Sequence, residues 1–267
     1  MTALQSPLEL YKILPKTNCR QCGLPSCLAF AAEVIKGDRR LATCPHLSKE
    51  VLERLQDTTS SRSSLEQELN ETLDALQAQI SGLDFQEAAQ RAGATLQNGK
   101  LLINCLGNKF EINAQGKVTS LCHTNPWFTV PLLNYVLLGK GTPPTGDWVS
   151  FRELPGGTEW EPLYLQRCEK QLKQLADKHP DLFADLVDIF SGRQPQHHFD
   201  ADIGVQLLPY PKLPLLICYW RPEEDMASKL QIFYDKTAAD NLPTEYIYRM
   251  GSGLVQMFGK ISQRHLQ

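Results

Sequence analysis

Residues 14–45 read LPKTNCRQCGLPSCLAFAAEVIKGDRRLATCP, and within them Cys19, Cys22, Cys27 and Cys44 stand at a C-x2-C-x4-C-x16-C spacing, with Pro45 directly after the last. Three thiols within nine residues can converge on one centre without a long loop, and a fourth from farther along the chain closes the coordination sphere. Thiolates are soft ligands that hold iron in [4Fe–4S] clusters, one cysteine per iron. Zinc also accepts four thiolates, but its structural sites usually show two separated C-x2-4-C pairs. Here Cys44 has no nearby partner cysteine, and His46, two residues beyond it, is the alternative ligand of the segment. An iron–sulfur cluster is the expected occupant and zinc the alternative.

Working outward, the run LAFAAEVIK after Cys27 predicts a helix that ends at Gly37, because Ala, Leu and Glu favour helix and Gly terminates it. That helix accounts for the long gap before Cys44. Its N-terminal end is expected beside the thiols, where unpaired N–H groups and the positive end of the helix dipole stabilise thiolate and sulfide. Before the thiols, Leu8, Leu10, Ile13 and Leu14 form a short apolar approach, and Pro15 with the Lys16–Asn18 stretch is expected to turn. Residues 1–56 are thus read as a small, mainly helical cluster-binding domain.

At Leu14 to Pro45 the chain resembles the small [4Fe–4S] domain of the corrinoid iron–sulfur protein large subunit, and is similar to the cluster domain of the Rnf complex B subunit. The resemblance implies that Cys19, Cys22, Cys27 and Cys44 are the four ligands, that Gly23 and Pro25 shape the loop, and that the centre carries electrons at low potential. Together with the oxygen sensitivity of exposed cubanes, it implies an anaerobic metabolism. In the corrinoid protein such a domain supports reductive reactivation of a corrinoid held elsewhere. This chain has no D-x-H-x-x-G corrinoid motif, and its remainder does not read as a (β/α)8 barrel.

Residues 57–83 read as a linker and amphipathic helix. DTTSSRSS (57–64) is polar, Ser63 or Ser64 can cap, and Leu65, Leu69, Leu73, Leu76, Ile80 and Leu83 recur at spacings of three and four. Fewer than three heptads favour packing against its own domain over a coiled-coil strap. Residues 84–267 read as a larger α+β domain with a mainly antiparallel sheet. LLINCL, KFEIN and KVTSL, separated by turn signals, predict a meander from Leu101 onward. Helices are expected at about 127–138, 161–177, 180–191 and 244–263, and strands at 203–208, 214–220 and 229–234. Runs of strands set apart from runs of helices give an α+β class rather than an alternating parallel sheet. TGDWVSFRELPGG (145–157) and LQIFYDKTAADNLPTEYIY (230–248) resemble an uncharacterised domain family found behind such cluster motifs, which implies an architecture and no activity.

The 267 residues, 42% of them hydrophobic, suffice for a buried core, and a net charge of −3 with interspersed signs offers no field for nucleic acid. No apolar run approaches the ~18 residues of a membrane span. The N-terminus lacks a basic start, an apolar stretch and a small-residue cleavage site, so a cytoplasmic location is expected. In a reducing cytosol, cysteines at this spacing point to metal rather than disulfides.

Other chemistry-bearing residues have plainer readings. Cys105 and Cys218 sit in apolar strand-like runs and are expected to pack as small hydrophobes. Cys122 and His123, with Cys168 as companion, are the candidates for a second metal or redox site. His197, His198, Asp200 and Asp202 concentrate ligand types in a loop, with strand capping as the ordinary reading, and Glu223, Glu224 and Asp225 read as a solvated turn. Arg152 could grip an anion, although an internal ion pair is the simpler expectation. There is no G-x4-G-K-[ST] loop and no G-x-G-x-x-G, so nucleotide hydrolysis and a Rossmann site lose their usual handles. Trp127, Trp148, Trp160 and Trp220 are expected to anchor core or interface. The function these readings favour is one-electron transfer to or from a redox partner protein, with a corrinoid protein among the candidates. The alternatives are a cluster-fed enzyme or reductive activator acting on a corrinoid or another small molecule, and a redox-sensing binding module.

Overall fold

A computed structural model describes residues 7–36, 39, 41–48, 51–52, 71–121, 126–179, 181–195, 199–224 and 226–264. The chain divides into two compact units, Met1–Glu71 and Thr72–Gln267.

In the N-terminal unit, helix α1 (Pro7–Ile13) begins with Pro at its first position, where a missing N–H costs nothing. The apolar approach is therefore itself helical, and it buries Leu10 and, just beyond its end, Leu14. Helix α2 (Cys27–Lys36) forms where the Ala-rich run predicts it, and a 3-10 turn follows at Leu41–Thr43. The small core consists of Leu10, Leu14, Phe30, Ala31, Val34 and Leu41 together with the thiols of Cys22, Cys27 and Cys44. A core of this size is marginal by itself, and segments this short usually rely on disulfides or metals.

The larger unit is α+β, with two four-stranded antiparallel sheets. Helix α3 runs through 71–81 and turns Leu76 and Ile80 inward, with Leu73 and Leu83 packed against the same core. Those four residues follow the packing expected of the amphipathic stretch, whereas Leu65, Leu69 and the polar linker 57–64 lie outside the described residues. Helix α4 (Phe85–Ala92) is capped by Asp84, whose carboxylate accepts the N–H groups of Gln86 and Glu87. The first sheet is a meander of β1 (Thr95–Gln97), β2 (Lys100–Cys105), β3 (Asn108–Ile112) and β4 (Val118–Ser120). Its burial alternates along β3, with Phe110 and Ile112 inward.

Helix α5 (Pro126–Leu138) is apolar on all faces, and every residue from Phe128 to Val136 is buried. The second sheet orders β5 (Trp148–Ser150), β8 (Lys229–Asp235), β7 (Leu213–Trp220) and β6 (Ile203–Tyr210). Helix α6 (Gly157–Tyr164) passes through a π turn at Leu165–Glu169 into α7 (Lys170–Lys178), and α8 (Leu182–Phe190) follows. The short α9 (Ala238–Asn241) leads into the long α10 (Thr244–Arg264). Close packing of α10 depends on Gly253, where a Cβ would lie 2.9 Å from the Cβ of Trp127.

Candidate metal centre

The loop before α2 is wound so that its backbone, as well as its cysteines, serves the site. Lys16, Asn18, Arg20 and Gly23 all have positive φ, at 58°, 50°, 63° and 78°. Three of the four are not glycine, an arrangement that costs each of them roughly 1–2 kcal/mol and that only a demanding site retains. Backbone of this kind turns N–H groups toward a concavity that suits anions and cluster sulfides. A turn from Arg20 to Gly23 follows, its N–H···O bond 2.9 Å long.

Asn18 ties this loop to α2. Its Oδ1 accepts the N–H of Cys27 at 2.8 Å, and its own N–H donates to Cys27 Sγ at 3.4 Å. Ser26 caps the helix by accepting the N–H of Ala29 at 3.1 Å, so Cys27 opens α2 as expected. Arg39 reaches back to the carbonyl oxygen of Cys22 at 3.0 Å, and Cys44 N–H bonds to Leu41 O at 3.1 Å. The Gln21 backbone N–H, with the Thr17 hydroxyl, holds the Cys19 thiol below its ordinary range, which favours thiolate.

Cys19, Cys22, Cys27 and Cys44 line one pocket, together with Leu14, Phe30 and Pro45 and with Thr17, Asn18, Arg20 and Ser26. Cys22, Cys27 and Cys44 are buried, whereas Cys19 is exposed. Among the described residues no group of three Cys, His, Asp or Glu side chains is placed to hold a single metal ion. His46 is exposed and does not line the pocket. A set of four soft sulfur donors, two of them accepting the N–H groups of Asn18 and Gln21, with Leu14, Phe30 and Pro45 beside them, fits an iron–sulfur cluster.

The remaining candidates do not assemble into a second site among the described residues. Cys105 is wholly buried in the main core, and Cys218 packs with Ala201, Leu216 and Phe233. Both follow the small-hydrophobe reading. Cys168 lies in the π turn with Ser252 Oγ 3.5 Å away, and burial pushes its thiol up to about 12. Cys122, His123, His197, His198 and Asp225 lie outside the described residues. Asp202 caps strand geometry by accepting the Arg221 N–H at 2.7 Å, and Asp200 is exposed. Glu223 forms a tight bridge with Met226, and Glu224 is exposed beside it. Arg152 pairs with Glu161 at 3.5 Å, the ion-pair alternative. Trp160 stacks on Tyr248, Trp148 packs against the small second core, and Lys229 sits 4.8 Å over the Trp220 ring.

Comparison with known proteins agrees with both halves. Residues 14–46 match the family model described as "Putative Fe-S cluster", and the N-terminal segment is an iron–sulfur domain. Residues 84–257 match the model described as "Domain of unknown function (DUF3786)". The chain belongs to the DUF3786 family. Curated relatives match over a short segment of the chain. It is 51% identical over 47 residues to the acetyl-CoA decarbonylase/synthase complex subunit gamma 1 of Methanosarcina thermophila, covering 18% of this chain and 10% of that protein. It is 50% identical over 48 residues to the corrinoid/iron-sulfur protein large subunit of Moorella thermoacetica, covering 18% and 11%. The chain therefore spans about a tenth of the length of these relatives. No solved structure matches it.

Within the DUF3786 domain, the segments 145–157 and 230–248 meet at Asp235, at the end of β8. Its carboxylate accepts the N–H groups of Gly146, Thr145 and Thr237 at 2.6, 2.9 and 3.0 Å, and the Thr237 hydroxyl at 2.7 Å. Burial pushes this carboxyl up, but the Thr237 hydroxyl and the surrounding N–H groups together hold it below its usual range. Asp147 pairs with Lys236 beside it, and Thr244 Oγ1 donates to Pro155 O at 2.7 Å. In the DUF3786 domain these polar residues fasten one corner of the second sheet, Asp235 through both backbone N–H groups and the Thr237 hydroxyl. Sequence reading missed Asn18, Thr17, Arg39 and Asp235 as organising residues. Of these, Asn18 carried a signal, since Asn tolerates positive φ beside a turn.

Proposed function

We propose that this chain is an electron-transfer protein in which Cys19, Cys22, Cys27 and Cys44 hold one [4Fe–4S] cluster that exchanges single electrons with a redox partner protein. The observation that carries the reading is that all four thiols line one pocket. Their C-x2-C-x4-C-x16-C spacing, with no second cysteine near Cys44, suits a cluster, where each iron takes one cysteine sulfur, better than the paired C-x2-4-C knuckles of structural zinc, and the match of residues 14–46 to an iron–sulfur family model supports the same reading. When bound, the cluster supplies a one-electron couple. The chain's own part is to exclude water with Leu14 and Phe30, to hold Cys27 through Asn18, and to leave Cys19 at the surface.

The matched relatives are named for a corrinoid/iron-sulfur protein and for an acetyl-CoA decarbonylase/synthase complex, which supports a corrinoid protein as the partner and an anaerobic setting. A reducing cytoplasm, in which thiols remain available to metal, fits the same reading. Among the described residues no helix is long and apolar enough to cross a membrane. An enzyme site around Cys168 gains no support, because its buried thiol stays protonated at neutral pH.

Replacing Cys44 with Ala tests the ligand assignment. The variant, purified without oxygen, is expected to lose or degrade the brown chromophore and the EPR signal of the reduced protein. An unchanged chromophore and signal would contradict it.

A further inference from the structure

Three of the four thiols are buried and the fourth, Cys19, is exposed, so the mouth of the pocket lies on the Cys19 side. Among the described residues, the charged side chains that line the pocket or bond to its cysteines' backbone are basic. Arg20, next to Cys19, lines the pocket itself. Lys16 and Lys12 are exposed on the approach to it, and Arg39 is exposed while its guanidinium holds the carbonyl of Cys22. From residue 10 to residue 32 the sequence has no Asp or Glu, and residues 1–52 hold seven Lys and Arg against four Asp and Glu. The chain as a whole is net negative, at −3, so the sign at the mouth opposes the sign of the molecule. Beside the basic residues, Pro25 and Leu28 are exposed, the latter at 43%, immediately flanking the cysteines. An apolar centre with a charged rim is the anatomy of a transient docking surface, and the rim charges set encounter rate and partner choice.

We propose that this mouth docks an acidic patch on the redox partner, with Lys16, Arg20 and Arg39 steering the encounter and Pro25 and Leu28 making the dry contact. The inference rests on the electron-transfer reading and names the partner's surface. A partner whose acidic patch surrounds its own redox centre would thereby be held with that centre toward Cys19. A uniformly negative chain would repel such a partner, whereas a locally basic mouth attracts it within a Debye length of about 8 Å at physiological salt.

The test uses the full chain with its cluster reduced, and reads EPR power saturation in the presence of two chromium(III) complexes of opposite charge. Tris(oxalato)chromate(III) is a trivalent anion, and tris(ethylenediamine)chromium(III) is a trivalent cation. The anion is expected to relax the cluster signal more strongly, and its advantage is expected to shrink as ionic strength is raised to about 0.15 M. Lys16→Asn and Arg20→Asn remove charge with a residue that tolerates positive φ, and each is expected to cut the anion's preference roughly threefold. If those loop variants lose their cluster, Lys12→Gln on the regular helix α1 provides the same comparison. Equal or stronger relaxation by the cation in the wild-type chain overturns the proposal while leaving the electron-transfer reading intact. A protein that carries zinc and no cluster signal overturns that reading first, and this inference with it.

Discussion

Asn18 and Cys27 hold each other across nine residues, the Asn18 Oδ1 accepting the Cys27 N–H at 2.8 Å while the Asn18 N–H donates to Cys27 Sγ at 3.4 Å. One residue thus fixes a cysteine at both its backbone and its sulfur, and does so from a positive φ of 50°. Asn18→Gly keeps the conformation and loses the side-chain bond, at about 1 kcal/mol. Asn18→Ala loses both, adding roughly 1–2 kcal/mol of backbone strain. Bleaching of the visible cluster band in the presence of an iron chelator should therefore quicken in the order wild type, Gly, Ala. A slower or unchanged rate in the Ala variant would show that Asn18 does not brace the site.

Helix α10 offers two glycine positions with opposite expectations. A Cβ at Gly253 would meet the Trp127 Cβ at 2.9 Å and its carbonyl oxygen at 3.1 Å, so Gly253→Ala is expected to cost about 1–3 kcal/mol through overpacking. A Cβ at Gly259 would meet Leu175 at 3.6 Å, an ordinary contact, so Gly259→Ala should gain up to ~1 kcal/mol from helix propensity. Urea midpoints of the two variants check the sign of each.

Glu169 gives the larger unit a pH dependence. Burial pushes its carboxyl up to about 7 from 4.5, against the opposing effect of the Ile232 N–H that it accepts at 3.0 Å. Glu161 adds to the rise, and Lys229 opposes it. The folded state then binds the proton more tightly than the unfolded state. Stability should fall as pH rises through 4.5 toward 7, and the full cost, about 3 kcal/mol, should be present above 7. Glu169→Gln can still accept the Ile232 N–H and carries no charge. Its urea midpoint should exceed that of the wild type at about pH 8 and approach it at about pH 5. Parallel pH profiles for the two proteins would rule this account out.

Much of the architecture was legible in the residues. The Ala-rich run gave α2 (Cys27–Lys36) almost to its ends, because propensity and a terminating Gly agree there. The meander was legible from alternating apolar residues between turn signals, and Leu213–Trp220 from its continuous apolar run. Helix α4 was passed over although Asp84 and Glu87 announce its start, whereas β5 had no such signal, since three half-buried residues become a strand only by pairing with β8. At the site, the four cysteines were legible from spacing alone. The positive φ of Lys16 and Arg20 was not, because neither residue type prefers that conformation and the surrounding loop imposes it. Asp235 was likewise hidden, since its role arises from Thr145 and Gly146, some ninety residues away in the chain.

The most direct test of the central claim is iron, zinc and labile-sulfide analysis of the chain purified without oxygen. One [4Fe–4S] cluster held by Cys19, Cys22, Cys27 and Cys44 predicts about four irons and four sulfides per chain, one iron for each cysteine ligand. Stoichiometric zinc with no labile sulfide would contradict it.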